Sequence, residues 1–441
     1  MSKSIKNQKA ILEKLKIEKL NKMQEEAQFA IHANEEVVLL SPTGTGKTLA
    51  FLLPVLAELD REVEGVQALI LVPSRELAIQ IEQVFREMGS GFKVNAVYGG
   101  RSVSKDKLEL KHAPALLVGT PGRVADHIRR NTFNSNAIEI LILDEFDKSL
   151  EVGFENEMID IIGSLPKLRK KILTSATFNV DIPKFVGLKA PFTIDNLKEE
   201  KPNISLNIIN SPEKDKLETL AQLLLKLKNQ PGIVFCNFKD SIDRVSDFLE
   251  DMNIDHACFY GGMEQKDREQ ALIKFRNSSH QILLATDLAA RGIDVPEIKF
   301  IIHYHLPMRL NEFIHRNGRT ARMHSEGSAY VIKYQHEYLP EFIQELHPHT
   351  IDIDSINTDA INEDDKWTTI FVSGGRKDKI SKGDIAGLFF KQGKLQKDQL
   401  GLIELKQDCA FVAVKSSEVM QLIHLIDNTR LKKKKVRVRY L

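Results

Sequence analysis

"VVLLSPTGTGKTLA" (residues 37–50) carries one apolar run into a Gly-rich turn and out into a second apolar run. The first run has the length of a buried strand and the second reads as a helix. Between them the glycines let backbone N–H groups turn inward and cradle phosphate oxygens, and the helix N-terminus adds its dipole. Thr43, Gly44, Thr45, Gly46, Lys47 and Thr48 would line a nucleotide there. Lys47 reaches the β/γ-phosphates and the Thr48 hydroxyl ligates Mg2+. Ser41 stands where the general pattern has its first Gly. A strand, a phosphate loop and a helix in this order predict a parallel α/β sheet that binds a nucleotide.

Working outward, the same build recurs. "EVVLLSP", "ALILVPS", "ALLVGTP", "EILILDE" and "KKILTSAT" each read as a buried strand ending in small or polar residues, with helical patterns between most of them. The pattern restarts after residue 203 with "PGIVFCN", "HACFYGG", "QILLATD", "KFIIHYH" and "GSAYVIK", without a close sequence repeat. The charged "LKEEKPN" (197–203) marks a boundary. Residues 346–365 hold six acids and no Lys or Arg, and read as a linker. The remainder reads as β-α-β-β-α-β, with Ser381 capping the helix "SKGDIAGLFFKQ". The expected division is 1–200, 201–345, an acidic linker 346–365 and a small α+β domain 366–441, of the RNA-recognition-motif type.

Charge separates the tail from the body. The 441 residues carry a net charge of +1. Residues 366–441 hold 17 Lys and Arg against 7 Asp and Glu, leaving 45 against 54 elsewhere. A tail of +10 on a body of −9 points to an appended polyanion-binding module. Lys432, Lys433, Lys434, Lys435, Arg437 and Arg439 are natural phosphate contacts. Trp367 and Phe371 offer rings for base stacking, with core packing the expected fate of Phe371. No apolar stretch approaches the roughly 18 residues a membrane span needs. The N-terminus lacks the apolar core of a signal peptide. The three cysteines lie far apart without metal-ligand spacing, which fits a reducing cytoplasm.

A phosphate loop needs a second magnesium anchor on a neighbouring strand. "LILDEFDKSL" (141–150) supplies it: the apolar run empties into Asp144, Glu145 and Asp147 about 100 residues after the loop. Asp144 would hold Mg2+ directly or through water. Glu145 would orient and deprotonate the attacking water.

Together these segments resemble the DEAD-box RNA helicases, and the resemblance runs over nearly the whole chain. "SPTGTGKT", "PSRELAIQ", "YGG", "TPGR", "DEFD", "SAT", "IVFCN", "QKDR", "TDLAARGID" and "HRNGRTAR" occur in the family's order. The resemblance implies two RecA-like domains that close on ATP, Mg2+ and RNA to separate short duplexes. It implies that Arg319 and Arg322 act as arginine fingers, that Asp294 lies near the ribose and phosphates, and that Gln24 recognises adenine. It further implies that Ser175, Thr177 and His315 couple with Asp147. Arg75, Gly100, Thr120, Arg123, Arg268 and Thr286 fall where the family grips RNA backbone, which carries little sequence information. An ATP-gated RNA clamp is the second reading. Intact Lys47, Glu145, Arg319 and Arg322 argue against a third, a non-catalytic scaffold.

Four departures stand out. Leu20–Met23 replace a Pro-rich turn before Gln24, no aromatic precedes Phe29, Ala321 replaces a Gly, and Phe146 stands where a small residue is usual. Phe146 is expected to pack inward and leave the three acids in place. The tail resembles the RNA-binding domain of the bacterial DbpA group, chiefly over 371–389. That implies structured RNA as target, a large-subunit ribosomal RNA hairpin during ribosome assembly; a monomer with no membrane partner is expected besides.

Overall fold

The computed structural model describes residues 8–177, 182–197, 204–227, 230–290, 295, 298–320, 326–356 and 366–441. Two compact units divide the chain, the second beginning at Ile204 and including the tail.

The first unit is a seven-stranded parallel sheet: β1 (Glu36–Leu40), β2 (Ala68–Leu71), β3 (Val94–Val97), β4 (Leu116–Gly119), β5 (Ile140–Leu143), β6 (Lys170–Ser175) and β7 (Phe192–Asp195). Their spatial order is 3-4-2-5-6-1-7. Helices cover both faces, so the strands are apolar without alternation. Val37 and Leu39 enter one core, and Val38 enters the other.

The second unit repeats this architecture with β8 (Ile204–Ser211), β9 (Gly232–Phe235), β10 (Ala257–Phe259), β11 (Ile282–Ala285), β12 (Phe300–His303), β13 (Gly327–Tyr334) and β14 (His349–Thr350). Counted from β8, its strand order is again 3-4-2-5-6-1-7, and every pair is parallel. β14 lies inside the stretch read as linker from 346. It pairs with β8, and Ile351, Ile353 and Ile356 pack on the second core. The following acidic run, 357–365, lies outside the described residues.

The tail forms an antiparallel sheet from β15 (Trp367–Val372), β16 (Leu400–Leu405), β17 (Ala410–Lys415) and β20 (Val438–Tyr440), ordered 16-17-15-20. A short hairpin, β18 (Arg430–Leu431) and β19 (Lys434–Lys435), precedes the last strand. Helices Lys382–Lys391 and Val419–Ile426 cover one sheet face. Ser381 caps the first of them, its Oγ accepting from the Asp384 N–H. Among the described residues no helix is long and apolar enough to cross a membrane.

Candidate functional site

Six of the first unit's strands deliver a motif from their carboxyl ends, where open parallel sheets bind ligands. β1 leads to the phosphate loop, β2 to "PSRE", β3 to "YGG", β4 to "TPGR", β5 to "DEFD" and β6 to "SAT". Because β5, β6 and β1 are consecutive in the sheet, the acids, the Ser-Ala-Thr segment and the phosphate loop share one edge.

The loop is braced from behind. Gly44 and Gly46 take φ of 87° and 86°, left-handed values that favour glycine. Gly46 also packs against the Gln24 amide so closely that a Cβ would collide with it. Gln24 Nε2 donates to the Gly46 carbonyl at 3.2 Å, and Asn21 Nδ2 donates to the Thr45 carbonyl at 3.0 Å. Asn21 and Gln24 close a reciprocal capping box at the start of helix Lys22–Ala33. A helix cap thus holds Gln24 where the sequence lacks a Pro-rich turn. Gln24 is placed against the loop, with its Oε1 accepting from the Asn21 N–H. The Ser41 and Thr45 hydroxyls lie 2.8 Å apart, and Thr45 Oγ1 donates to the Pro42 carbonyl. Lys47 Nζ donates to the carbonyls of Ser41 at 2.5 Å and Pro42 at 2.9 Å. Thr48 follows, half-buried, on helix Lys47–Glu58.

The acids are buried. Asp144 is 3% exposed and Glu145 9%. Burial, then the neighbouring Glu145 charge, push the Asp144 carboxyl up to about 6, against the Thr174 hydrogen bond and the charge of Lys47. A buried carboxylate disfavoured in this way suits a site completed by a cation. Among the described residues no group of three or more His, Cys, Asp or Glu could hold a metal. Glu145 adopts φ 47° and ψ 49°, a left-handed conformation unusual for a side-chain-bearing residue. Asp147 Oδ2 accepts from Thr177 Oγ1 at 3.2 Å, and Ser175 Oγ accepts from the Thr177 N–H at 3.0 Å. Phe146, 1% exposed, enters the core beneath β5 and leaves the acids at the strand ends.

The predicted RNA-contacting residues of the first unit fall together on adjacent strand ends. Arg75 packs over Gly100, where φ is 84°. Thr120 begins helix Pro121–Arg129, which carries Arg123. The sequence reading missed what holds Arg123. Asp106, 1% exposed, accepts from Arg123 Nε at 2.9 Å, lies 3.2 Å from His127 Nε2 and pairs with Arg101 at 3.2 Å. Burial works to raise the Asp106 pKa. Hydrogen bonds from His127 and Arg123 and the nearby arginine charges outweigh it and hold the carboxyl below its usual range. The one available signal was an acid six residues after Gly100.

In the second unit, Arg268 lies in the first turns of helix Gln265–Arg276, its guanidinium 4.6 Å from the Phe259 ring centroid. Thr286 follows β11. His315 and Arg319 are both buried, at the end of helix Leu310–Asn317 and just beyond it. Between them lies a residue not singled out from sequence. Arg316 is 1% exposed and pairs with Asp287 through Nε and Nη2, both at 2.6 Å. It also donates to Asn237 Oδ1 and the His305 carbonyl, tying the "TDLAA" and "HRNGR" segments together. Asp294, Ala321 and Arg322 lie outside the described residues.

In the tail, Lys432 pairs with Asp384 at 2.7 Å and Lys434 with Asp378 at 2.8 Å. Lys433, Lys435 and Arg437 are exposed, with Arg437 Nε 3.4 Å from Asp427. Phe371 lies outside the tail core expected for it. It is half-buried on the other sheet face, edge-on to Phe411, with Arg439 5.1 Å from its centroid. Lys415 sits 4.9 Å from the Trp367 ring centroid.

Three family descriptions match the chain in series. They are the DEAD/DEAH box helicase over residues 21–185, the helicase conserved C-terminal domain over 215–324 and the DbpA RNA binding domain over 369–440. The chain is 30% identical to the ATP-dependent RNA helicase DbpA of Bacillus subtilis (strain 168), covering 95% of this chain and 94% of that one. It is also 30% identical to DbpA of Escherichia coli (strain K12), covering 93% and 92%. Among solved structures, S. cerevisiae Dbp5 bound to RNA and ADP BeF3 aligns with a TM-score of 0.70 at 27% identity, over 78% of this chain and 94% of that one.

Proposed function

We infer the function from one premise: this chain belongs to the DEAD-box ATP-dependent RNA helicases, alongside the DbpA relatives. It is an RNA-stimulated ATPase. The reaction assigned to it is hydrolysis of ATP to ADP and phosphate, coupled to local separation of an RNA duplex. The carrying observation is the shared edge of β5, β6 and β1, which sets Asp144, Glu145, the Ser175–Thr177 segment and Lys47 at neighbouring strand ends. We assign domain limits of 1–200, 201–356 and 366–441, with the acidic run 357–365 as the linker.

In this reading the loop amides from Thr43 to Lys47 bind phosphates, and Lys47 leaves its carbonyl partners to pair with them. Thr48 and Asp144 would hold Mg2+, which when bound neutralises phosphate charge. Glu145 takes the proton of the attacking water. Arg319 and Arg322 would supply positive charge to the transition state, Asp294 would serve the ribose, and Gln24 the adenine. Asp147, Ser175, Thr177 and His315 relay RNA binding to hydrolysis. Arg75, Gly100, Thr120, Arg123, Arg268 and Thr286 hold RNA backbone, so this grip is insensitive to sequence.

The tail supplies selectivity. Its match to the DbpA RNA binding domain and its net charge of +10 support a structured RNA target. We assign that target to ribosomal RNA and the role to ribosome assembly, carried out by a monomer in the cytoplasm. The test compares RNA-stimulated ATPase with strand separation for the full chain. ATPase without separation would favour an ATP-gated clamp. Deleting 366–441 is expected to weaken binding to a ribosomal hairpin far more than to generic duplex. Equal loss on both would reduce the tail to a non-specific anchor.

A further inference from the structure

Lys148 stands immediately after the "DEFD" segment, and its side chain is fully buried. It is among the largest side chains buried to that degree. A buried ammonium is costly unless it is paired. Lys148 Nζ donates to both carboxylate oxygens of Glu151, at 2.8 and 2.9 Å. Helix Phe146–Glu151 sets up this pair, because residues three apart on a helix are neighbours.

The same Nζ lies 3.9 Å from Asp147 Oδ2. Helix geometry does not impose that contact, since adjacent residues do not face each other. At 3.9 Å it is too long for a hydrogen bond and acts as charge on charge. The two acids differ in their need for it. The Glu151 side chain is 20% exposed and keeps some water. The Asp147 side chain is 5% exposed, so its neighbours must meet the cost of its charge. An opposite charge at this distance, shut off from water, is screened little. Asp147 Oδ2 is also the oxygen that accepts from Thr177 Oγ1, and the Thr177 N–H donates to Ser175 Oγ. One carboxylate oxygen thus stands between a buried cation and the Ser-Ala-Thr segment.

We propose that Lys148 is a positioning residue for the coupling of RNA binding to hydrolysis: its buried charge holds the Asp147 carboxylate charged and in place to receive Thr177. This rests on the coupling role inferred above for Asp147, Ser175 and Thr177. Lys148 itself meets neither nucleotide nor RNA in that role and acts through Asp147. Glu151 has the supporting part. Its carboxylate neutralises the ammonium, which lets a Lys stay inside the fold at this position. A charged Asp147 offers only acceptors, so it can hold the Thr177 hydroxyl without competing for its proton.

The test uses the full chain and reads RNA stimulation, the ratio of ATPase at saturating RNA to ATPase without RNA. Lys148→Met keeps the stem and removes the charge. It is expected to lower the stimulation at least roughly fivefold, with the ATP concentration for half-maximal rate held within about twofold. Lys148→Arg keeps the charge and should retain most of the stimulation. Glu151→Gln removes the pair but leaves the Lys148 charge beside Asp147. It should lower the urea midpoint and keep the stimulation. Should Lys148→Met not fold, Lys148→Met with Glu151→Leu buries no charge at either position and carries the same comparison. Unchanged stimulation in the Met variant overturns the proposal. Equal losses in Lys148→Met and Glu151→Gln also overturn it, by making the pair a structural one. Asp147→Asn tests the premise separately: unchanged stimulation there refutes the coupling role itself. Lost stimulation in Asp147→Asn beside wild-type behaviour in Lys148→Met refutes the role of Lys148 alone.

Discussion

Thr174 donates its hydroxyl to Asp144 Oδ1, and Thr174 Oγ1 in turn accepts the Glu145 N–H at 3.2 Å. One buried hydroxyl thus fixes both the residue proposed to anchor magnesium and the left-handed residue that follows it. Thr174→Val keeps the shape and removes both bonds, at about 1–3 kcal/mol for the groups left unpaired. Turnover is expected to fall by roughly tenfold or more at saturating ATP and RNA. Thr174→Ser, which retains the hydroxyl, should keep most of it. Steady-state ATPase of the two variants decides the point; equal losses would assign the effect to packing.

Glu145→Gln preserves size and hydrogen-bonding reach but cannot take a proton. Hydrolysis should drop by about 10²–10⁴-fold while ATP and RNA binding persist. Single-turnover hydrolysis beside equilibrium binding separates the two. Wild-type turnover would sink the general-base assignment.

Phe146 is among the largest fully buried side chains. Phe146→Ala opens a cavity beneath β5 and should cost about 3–5 kcal/mol of stability, read as a lower midpoint in urea. RNA-stimulated ATPase measured well below that midpoint should stay near wild type. A greatly altered rate in the folded variant would mean that Phe146 tunes coupling between RNA and hydrolysis.

Asp106 holds Arg101, Arg123 and His127 around one buried carboxylate. Asp106→Asn leaves two arginines short of their counter-charge and frees Arg123 from its orientation. The RNA concentration for half-maximal ATPase should rise several-fold, with the maximal rate little changed. A fall in the maximal rate alone would contradict a role in RNA positioning.

The Asp144 carboxyl, raised to about 6, sets a pH dependence. On the proposed assignment of Asp144 to the metal site, protonation and Mg2+ compete for the same oxygens. Above pH 6 the group is ionised and Mg2+ affinity should be level; below it affinity should fall about tenfold per pH unit. Titrating Mg2+-dependent nucleotide binding from pH 5 to 8 reads this directly. A flat profile would remove Asp144 from the metal site.

Much of the fold was legible because parallel strands buried on both faces are written as continuous apolar runs. The four strands missed in the two parallel sheets lack that signature. β3 is interrupted by Asn95, β8 mixes polar residues through "ISLNIINS", β7 is mostly exposed and β14 has two residues. β7 and β14 are the edge strands next to β1 and β8, and their pairing comes from a neighbour's backbone rather than from their own side chains.

The candidate site divides the same way. The phosphate loop, the acids ending β5 and the Ser381 cap follow from short-range backbone geometry, where a few adjacent residues decide the conformation. Asp106 under Arg123, Arg316 on Asp287 and Thr174 on Asp144 join residues 17, 29 and 30 positions apart in sequence, and no local pattern marks them. The ion pair of Arg276 with Glu404 spans 128 positions. The sequence by itself determined which chemistry each strand end carries. Only the tertiary structure decided which charges are buried together, because burial and pairing depend on what the rest of the chain brings alongside.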